Sequence, residues 1–266
     1  MLFDNTDIHV ICNREFFSHF EGLYVTLYDQ AEFPDNYTEK SSLDKDFRGG
    51  FWQHCSRRFF LIRDWMKKYD IQNCAHLEND VPAYINFDQV FNSLDKTKLW
   101  APMTNHCYGV PSIMFINLDV FSRFLDGFDF NKNDMENLGQ FLYTNWREFN
   151  TLPIYYESIP HRPSFYTQNF NGLIFDACAI GQYLGGIDPR NEAGDTRGFV
   201  NKECVLKYNG HKFYWVKQGS LYVPHITRGE FLVPIANLHI HSKNVGNFMA
   251  DDPKETMLIT KLVLNE

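Results

Sequence analysis

No apolar run in the chain approaches the roughly 18–20 residues that cross a bilayer. The first seven residues are acidic at Asp4 and Asp7, where a secretory signal would be basic. These two absences predict a cytoplasmic protein without a membrane span. No two of the six cysteines (12, 55, 74, 107, 178 and 204) stand in a Cys-x-x-Cys spacing, which argues against a zinc ribbon or a thioredoxin-type motif. They are also too sparse for a disulfide scaffold, so reduced, mostly buried thiols are expected. Neither Gly-x-Gly-x-x-Gly nor Gly-x-x-x-x-Gly-Lys-Ser/Thr occurs, which disfavours classical NAD and ATP sites. Gly-x-Ser-x-Gly is missing too, and nothing in the sequence supports a Cys-His-Asp nucleophile. Cations are in deficit, 25 Lys and Arg against 33 Asp and Glu, for a net charge of -8. That balance argues against a nucleic-acid partner, because phosphate binding of that kind depends on many accessible Lys and Arg. A local pocket for one nucleotide is still compatible with it.

What the sequence has in excess is aromatic: 25 Phe, 14 Tyr and 5 Trp. A Phe-rich core is the plain reading. Trp52, Trp100, Tyr108 and Trp146 could also stack on sugar rings, though core packing is the first reading of each. Strand-like and helix-like runs alternate over the first 150 residues. Ile8 to Cys12, Asn73 to Leu77, Leu99 to Pro102 and Ile113 to Ile116 read as strands. Phe51, Cys55, Phe59, Ile62 and Met66 fall at helical spacing and predict an amphipathic helix over 51–66. Asp119 to Phe124 and Met135 to Trp146 read as helices, the second with an N-cap signal at Asn133-Asp134. Glu15 to Tyr28 has mixed period and fits neither template. A further helix is expected from Ile174 to Tyr183, stopped by Gly185-Gly186. The last third then turns β-rich, with strands expected at Val205 to Lys207, Phe213 to Val216 and Ile235 to Ile240. The pattern predicts an α/β fold: one domain over 1–266, a mixed, mostly parallel central sheet flanked by helices, and a smaller β-rich C-terminal part.

Three groups of residues could carry chemistry. In His76-Leu77-Glu78-Asn79-Asp80-Val81 a strand ends and two carboxylates follow at i and i+2, on one side of an extended segment. Hard oxygen ligands of this kind suit Mg²⁺ or Mn²⁺ carried with a diphosphate, and a cation would remove the repulsion between them. An acidic turn is the plain alternative. In Asn237-Leu238-His239-Ile240-His241-Ser242-Lys243-Asn244, alternation puts Asn237, His239 and His241 on one face. Two imidazoles there could add a nitrogen ligand, and Lys243 a cation for phosphate, or they are simply hydrogen-bonded histidines. Asp176 either caps the helix it begins or reaches a pocket together with Gln182. Asp134 and Glu136 are possible general bases that helix capping also explains. Arg57, Arg58 and Arg63 could reach a phosphate or form a solvated face. In the loop that follows residue 186, Arg190 or Arg197 could face a diphosphate.

In order, the strand Ile8 to Cys12, the helix leading into His76-Leu77-Glu78-Asn79-Asp80-Val81, the segment Gly109 to Asn117, the helix at Asp176 and the late His239-Ile240-His241-Ser242-Lys243 resemble small nucleotide-sugar-dependent glycosyltransferases of the GT-A fold, of the type found in bacteria and large DNA viruses. The resemblance implies a donor half over about residues 1–120 and an acceptor half over about 121–266. It implies that Glu78 and Asp80, with Asn79 between them, form the Asp-x-Asp-type motif that holds Mn²⁺ or Mg²⁺. It gives the late-ligand role to His239 or His241 and the phosphate role to Lys243, and it places His9, Asn13 and Arg57 near the nucleotide. Asp176, Asp134 and Glu136 are then the candidates for a carboxylate base. The implied reaction transfers a sugar from a nucleoside-diphosphate sugar, UDP-sugar favoured, to a glycan hydroxyl. A metal-dependent hydrolase and a non-catalytic carbohydrate-binding protein are the competing readings.

Overall fold

A computed structural model describes residues 7–156, 170, 172–186, 188–192, 204, 206–208 and 210–262. The chain opens with β1 (His9–Cys12), a 3₁₀ turn at Arg14–Phe20 and β2 (Thr26–Asp29), and β1 and β2 pair in parallel. The segment of mixed period is thus part 3₁₀ turn, part strand. Helix α1 (Phe51–Lys68) follows, with β3 (Asn73–Leu77), α2 (Phe87–Ser93), β4 (Leu99–Pro102) and β5 (Ile113–Asn117) after it. Then come α3 (Leu118–Asp126), α4 (Asp134–Thr144) and β6 (Phe149–Leu152). The remainder contains α5 (Ile180–Gly185), α6 (Pro189–Glu192), β7 (Phe213–Gln218), β8 (Leu221–Arg228), β9 (Phe231–Pro234) and β10 (Ile259–Leu262).

The architecture is mixed α/β. The sheet that carries the site has the order β3-β5-β4-β6. It is not mostly parallel as expected: β5 runs antiparallel to both β3 and β4, and only β4 and β6 are parallel. The reason is connection length. Residues 103–112 are too few for the dozen-residue crossover that a parallel neighbour needs, and the link is closed by the bridge between Met103 and Gly109. The expected β-rich end is present as a second sheet, β10-β7-β8-β9.

The Phe-rich core is real. Phe59 on α1 meets Phe121 and Phe124 of α3 edge-on at 5.7 and 5.9 Å between ring centroids, and Phe124 meets Phe141 of α4 at 5.2 Å. Such tilted pairs add to the burial of the rings themselves. Of the proposed sugar platforms, Trp52 and Tyr108 are partly buried against the main core, and Trp100 packs on Phe170. Trp146 stands exposed, with Arg147 over its ring. The main buried cluster draws on both halves of the chain, from Phe33 to Ile259. No helix among the described residues is long and apolar enough to cross a membrane.

Three irregular segments are laced together beside the end of β3. Ile240 donates its N–H to the Asp80 carbonyl at 2.9 Å, Leu238 to Pro82 at 3.1 Å, and Tyr84 to Ala236 at 2.8 Å. Ala236 donates to Ile174 at 2.8 Å, and Glu78 to Ser112 at 3.1 Å. The expected strand at Ile235 to Ile240 is therefore an extended segment held by isolated bridges to Ala83 and Ile174. The strand expected at Val205 to Lys207 falls partly outside the described residues, and Leu206 and Lys207 are not in a strand.

Candidate metal centre

The lacing sets Glu78 and Asp80 against His239. Glu78 is the first residue beyond β3, and Asp80 lies in the tight turn that follows. His239 Nε2 lies 3.1 Å from Glu78 Oε2 and 3.3 Å from Asp80 Oδ1. The outer oxygens are turned to cations: Glu78 Oε1 to Arg58, and Asp80 Oδ2 to Lys243. Arg58 reaches on to Asp134 Oδ2 at 2.8 Å. The charges thus alternate from Asp134 through Arg58, Glu78, His239 and Asp80 to Lys243.

This order explains how the groups titrate. Burial opposes the charge on Glu78, but Arg58 and His239 outweigh it and hold its carboxyl below the usual range. Burial opposes the charge on Asp80 too, and the bond and charge of His239, with Lys243, drive its carboxyl far down. Burial disfavours the His239 imidazolium, yet Glu78 and Asp80 raise its pKa. Burial raises that of Asp134, against Arg58. Loss of solvation and the nearby Arg58 push His76, which is half-buried, down to about 3. Three polar atoms around this guanidinium find no hydrogen-bond partner among the described residues: Arg58 Nε, His76 Nε2 and Asp134 Oδ1.

One donor atom each from Glu78, Asp80 and His239 lies within 4.8 Å of the others, so the group could hold a metal ion. Two carboxylates and one imidazole suit a hard divalent cation. A second group meets the same criterion, Cys178, His239 and His241. Cys178 Sγ is 2.7 Å from His239 Nδ1, and the two imidazole rings are 4.2 Å apart at their centroids. Gln182 Nε2 is 2.8 Å from His241 Nδ1. The two histidines expected on one face do lie together, and Gln182, expected at a pocket with Asp176, is buried against His241. Cys178, His239 and the carboxylates also lie in a line, an arrangement the sequence did not disclose. Burial pushes the Cys178 thiol well up, with Glu78 and Asp176 adding to the effect, so it is not the poised thiolate that a nucleophile requires.

Several expected site residues do other work. Asp176 is fully buried, and its carboxylate accepts the N–H groups of Ala179, Ile180, Gly181 and His239 at 2.7–2.8 Å. It is a structural clamp with no lone pair turned to a substrate. The helix expected over 174–183 begins only at Ile180, because residues 176–179 form this clamp and Cys178 takes a left-handed φ of 57°. Glu136 closes a capping box with Asn133 at the start of α4, as the capping alternative had it. Asp134 is buried against Arg58. None of the three is placed as a base.

Arg57 turns away to Asp35 at 2.9 Å, and its neighbour Arg58 enters the site. His9 bonds Tyr28 at 3.1 Å and packs on Trp65, while Asn13 accepts from Gln30. Asn79 is exposed in the turn between the two acids. Arg190 is engaged by Asp188 at 2.7 Å, and Arg197 lies outside the described residues. Compared with known proteins, the chain matches no family model, and no curated protein or solved structure matches it.

Proposed function

We propose that the chain is a metal-dependent glycosyltransferase that moves a sugar from a nucleoside-diphosphate sugar, UDP-sugar favoured, to a hydroxyl of a glycan. The observation that carries this reading is the meeting of Glu78 and Asp80 with His239 and Lys243 across some 160 residues of chain. Oxygen-rich donors next to a half-exposed lysine are what a cation–diphosphate pair requires. In this reading Glu78, Asp80 and His239 hold Mn²⁺ or Mg²⁺. When bound, the ion supplies positive charge to the diphosphate leaving group. Lys243, at the mouth of the site, adds a second charge for the phosphates. Arg58, partly buried behind Glu78, fixes the orientation of its carboxylate. Asp176 holds the His239 backbone, so the imidazole keeps its place as the carboxylates change partners.

The test is release of free nucleoside diphosphate from UDP-sugars and their GDP and TDP counterparts, with Mn²⁺ and with EDTA. Release with one donor, stimulated by a glycan acceptor and abolished by EDTA, is expected. Turnover of model phosphoesters with no donor cleavage would favour the hydrolase. Binding of free sugars with no response to nucleotides would favour the carbohydrate-binding protein.

A further inference from the structure

His239 presents its two ring nitrogens to different chemistry. Nε2 faces Glu78 and Asp80, while Nδ1 faces the Cys178 thiol. We propose that the Nδ1 side is a separate centre for a borderline, thiophilic divalent cation of the zinc class, held by Cys178, His239 and His241. The proposal shares His239 with the glycosyltransferase reading: with a cation on Nδ1, Nε2 keeps its proton for Glu78 and Asp80, and the hard cation of that reading then rests on the two carboxylates.

Four observations lead there. The donor set is one sulfur and two imidazoles, with donor atoms within 4.8 Å of one another, and this is the softness that selects zinc over manganese or magnesium. A metal-bound histidine almost always gives its other N–H to a carboxylate, a backbone carbonyl or water, and His239 has two carboxylates on that side. The second imidazole lies against the Gln182 amide, which orients it for binding through Nε2 when the amide oxygen is turned to accept from Nδ1–H. The backbone that presents the three ligands is locked as well. Cys178 is held at φ 57°, which non-glycine residues adopt only where the surroundings impose it. Asp176 bonds the chain on both sides of the centre, at Ala179, Ile180 and Gly181 and at His239. Gly181 lies so close that a Cβ there would fall 2.1 Å from the His239 carbonyl oxygen. A rigid frame around three convergent soft donors is the preorganisation that a metal centre needs.

On binding, the cation replaces the thiol proton. The Cys178 S–H bond breaks, a sulfur–metal bond forms and that proton goes to solvent; where His239 is an imidazolium, its Nδ1 proton leaves as well and Nε2–H stays on the carboxylate side. The three protein ligands leave a fourth tetrahedral position for water or another ligand.

Co²⁺ reports this centre directly. The metal-free full-length protein, reduced and kept from air, is titrated with Co²⁺ and then with Zn²⁺. The expected result is a thiolate-to-cobalt charge-transfer absorption that saturates at one equivalent and is erased by Zn²⁺. Cys178→Ser should lose the absorption and keep its near-ultraviolet circular dichroism. Asp80→Asn should retain it, even where nucleotide binding with Mn²⁺ is lost, so the two readings fail separately. Absence of the absorption in the wild-type protein, or its persistence in Cys178→Ser, would overturn the proposal. Should Cys178→Ser not fold, His241→Asn decides: a fall in Co²⁺ affinity of about tenfold or more is expected, and unchanged affinity overturns the proposal.

Discussion

Asp80 and Asp176 are both buried aspartates, and their surroundings give them opposite roles. Asp80 faces two ionisable side chains, His239 and Lys243, whereas Asp176 faces four backbone N–H groups. Asp80→Asn is therefore expected to keep the fold and to weaken metal-dependent nucleotide binding by about 100-fold or more, measured by calorimetric titration of UDP with Mn²⁺. Asp176→Ala strands buried N–H groups that bond a charged acceptor, and should cost about 3 kcal/mol or more, read from urea unfolding. If the two variants exchange these phenotypes, the roles are reversed. Glu78, Asp80, His239 and Lys243 were legible from residue type and spacing. Arg58 could have been read from helical phase. At 100° per residue it stands about 60° from Cys55 on the apolar stripe, while Arg57 stands about 160° away. Cys178 carried no such signal: it stands alone in an apolar run with no ligand residue at a telling spacing, and only the folded chain brings it to His239.

At the scale of elements, the site depends on α5 lying against the segment that carries His239. Gly181 permits that approach, since a Cβ would meet the His239 carbonyl oxygen at 2.1 Å and its carbonyl carbon at 2.5 Å. Backbone cannot yield as a flexible side chain does. Gly181→Ala should destabilise the protein by about 1–3 kcal/mol and weaken metal binding as His239 shifts. Wild-type stability and affinity in this variant would show that the packing is loose. The helices over 51–68 and 134–144 and the strand over 73–77 were readable because each has a regular period and clear ends. The expected helix at 174–183 failed because its apolar run carries no mark of the clamp at Asp176. The extended segment at 235–240 showed the right alternation, but alternation does not reveal that its partners are isolated bridges.

For the whole molecule, histidines set the response to acid. Loss of solvation and Arg58 depress His76 to about 3, so the folded chain refuses a proton that the unfolded chain accepts below pH about 6.5. Its contribution to stability therefore falls as pH drops from about 6.5 towards 3, by about 1.4 kcal/mol per pH unit. His241 is depressed as well, by burial and by His239, and acts in the same direction. The raised pKa of His239 has the opposite sign: its contribution is present below pH about 6.5 and is lost as pH rises through the folded value. Urea unfolding of the metal-free protein at pH 7 and pH 5 should show wild type losing more stability than His76→Gln. Equal losses would mean that His76 is not kept neutral. Composition predicts the Phe-rich core and the alternation of the late segments predicts the β-rich end, whereas the direction of β5 against β4 turns on the shortness of residues 103–112.

We propose that Glu78, Asp80 and His239 hold a cation that in turn holds a nucleoside diphosphate. Thermal unfolding tests it most directly, with UDP, GDP, TDP and CMP each measured in Mn²⁺ and in EDTA, for wild type and Asp80→Asn. A nucleotide at about 100 times its Kd adds about 2.7 kcal/mol, which raises the melting temperature by about 5–10 °C in a chain of this size. Such a rise is expected for one nucleoside diphosphate, lost in EDTA and absent in Asp80→Asn. No rise with any nucleotide, or an equal rise in EDTA, would contradict it.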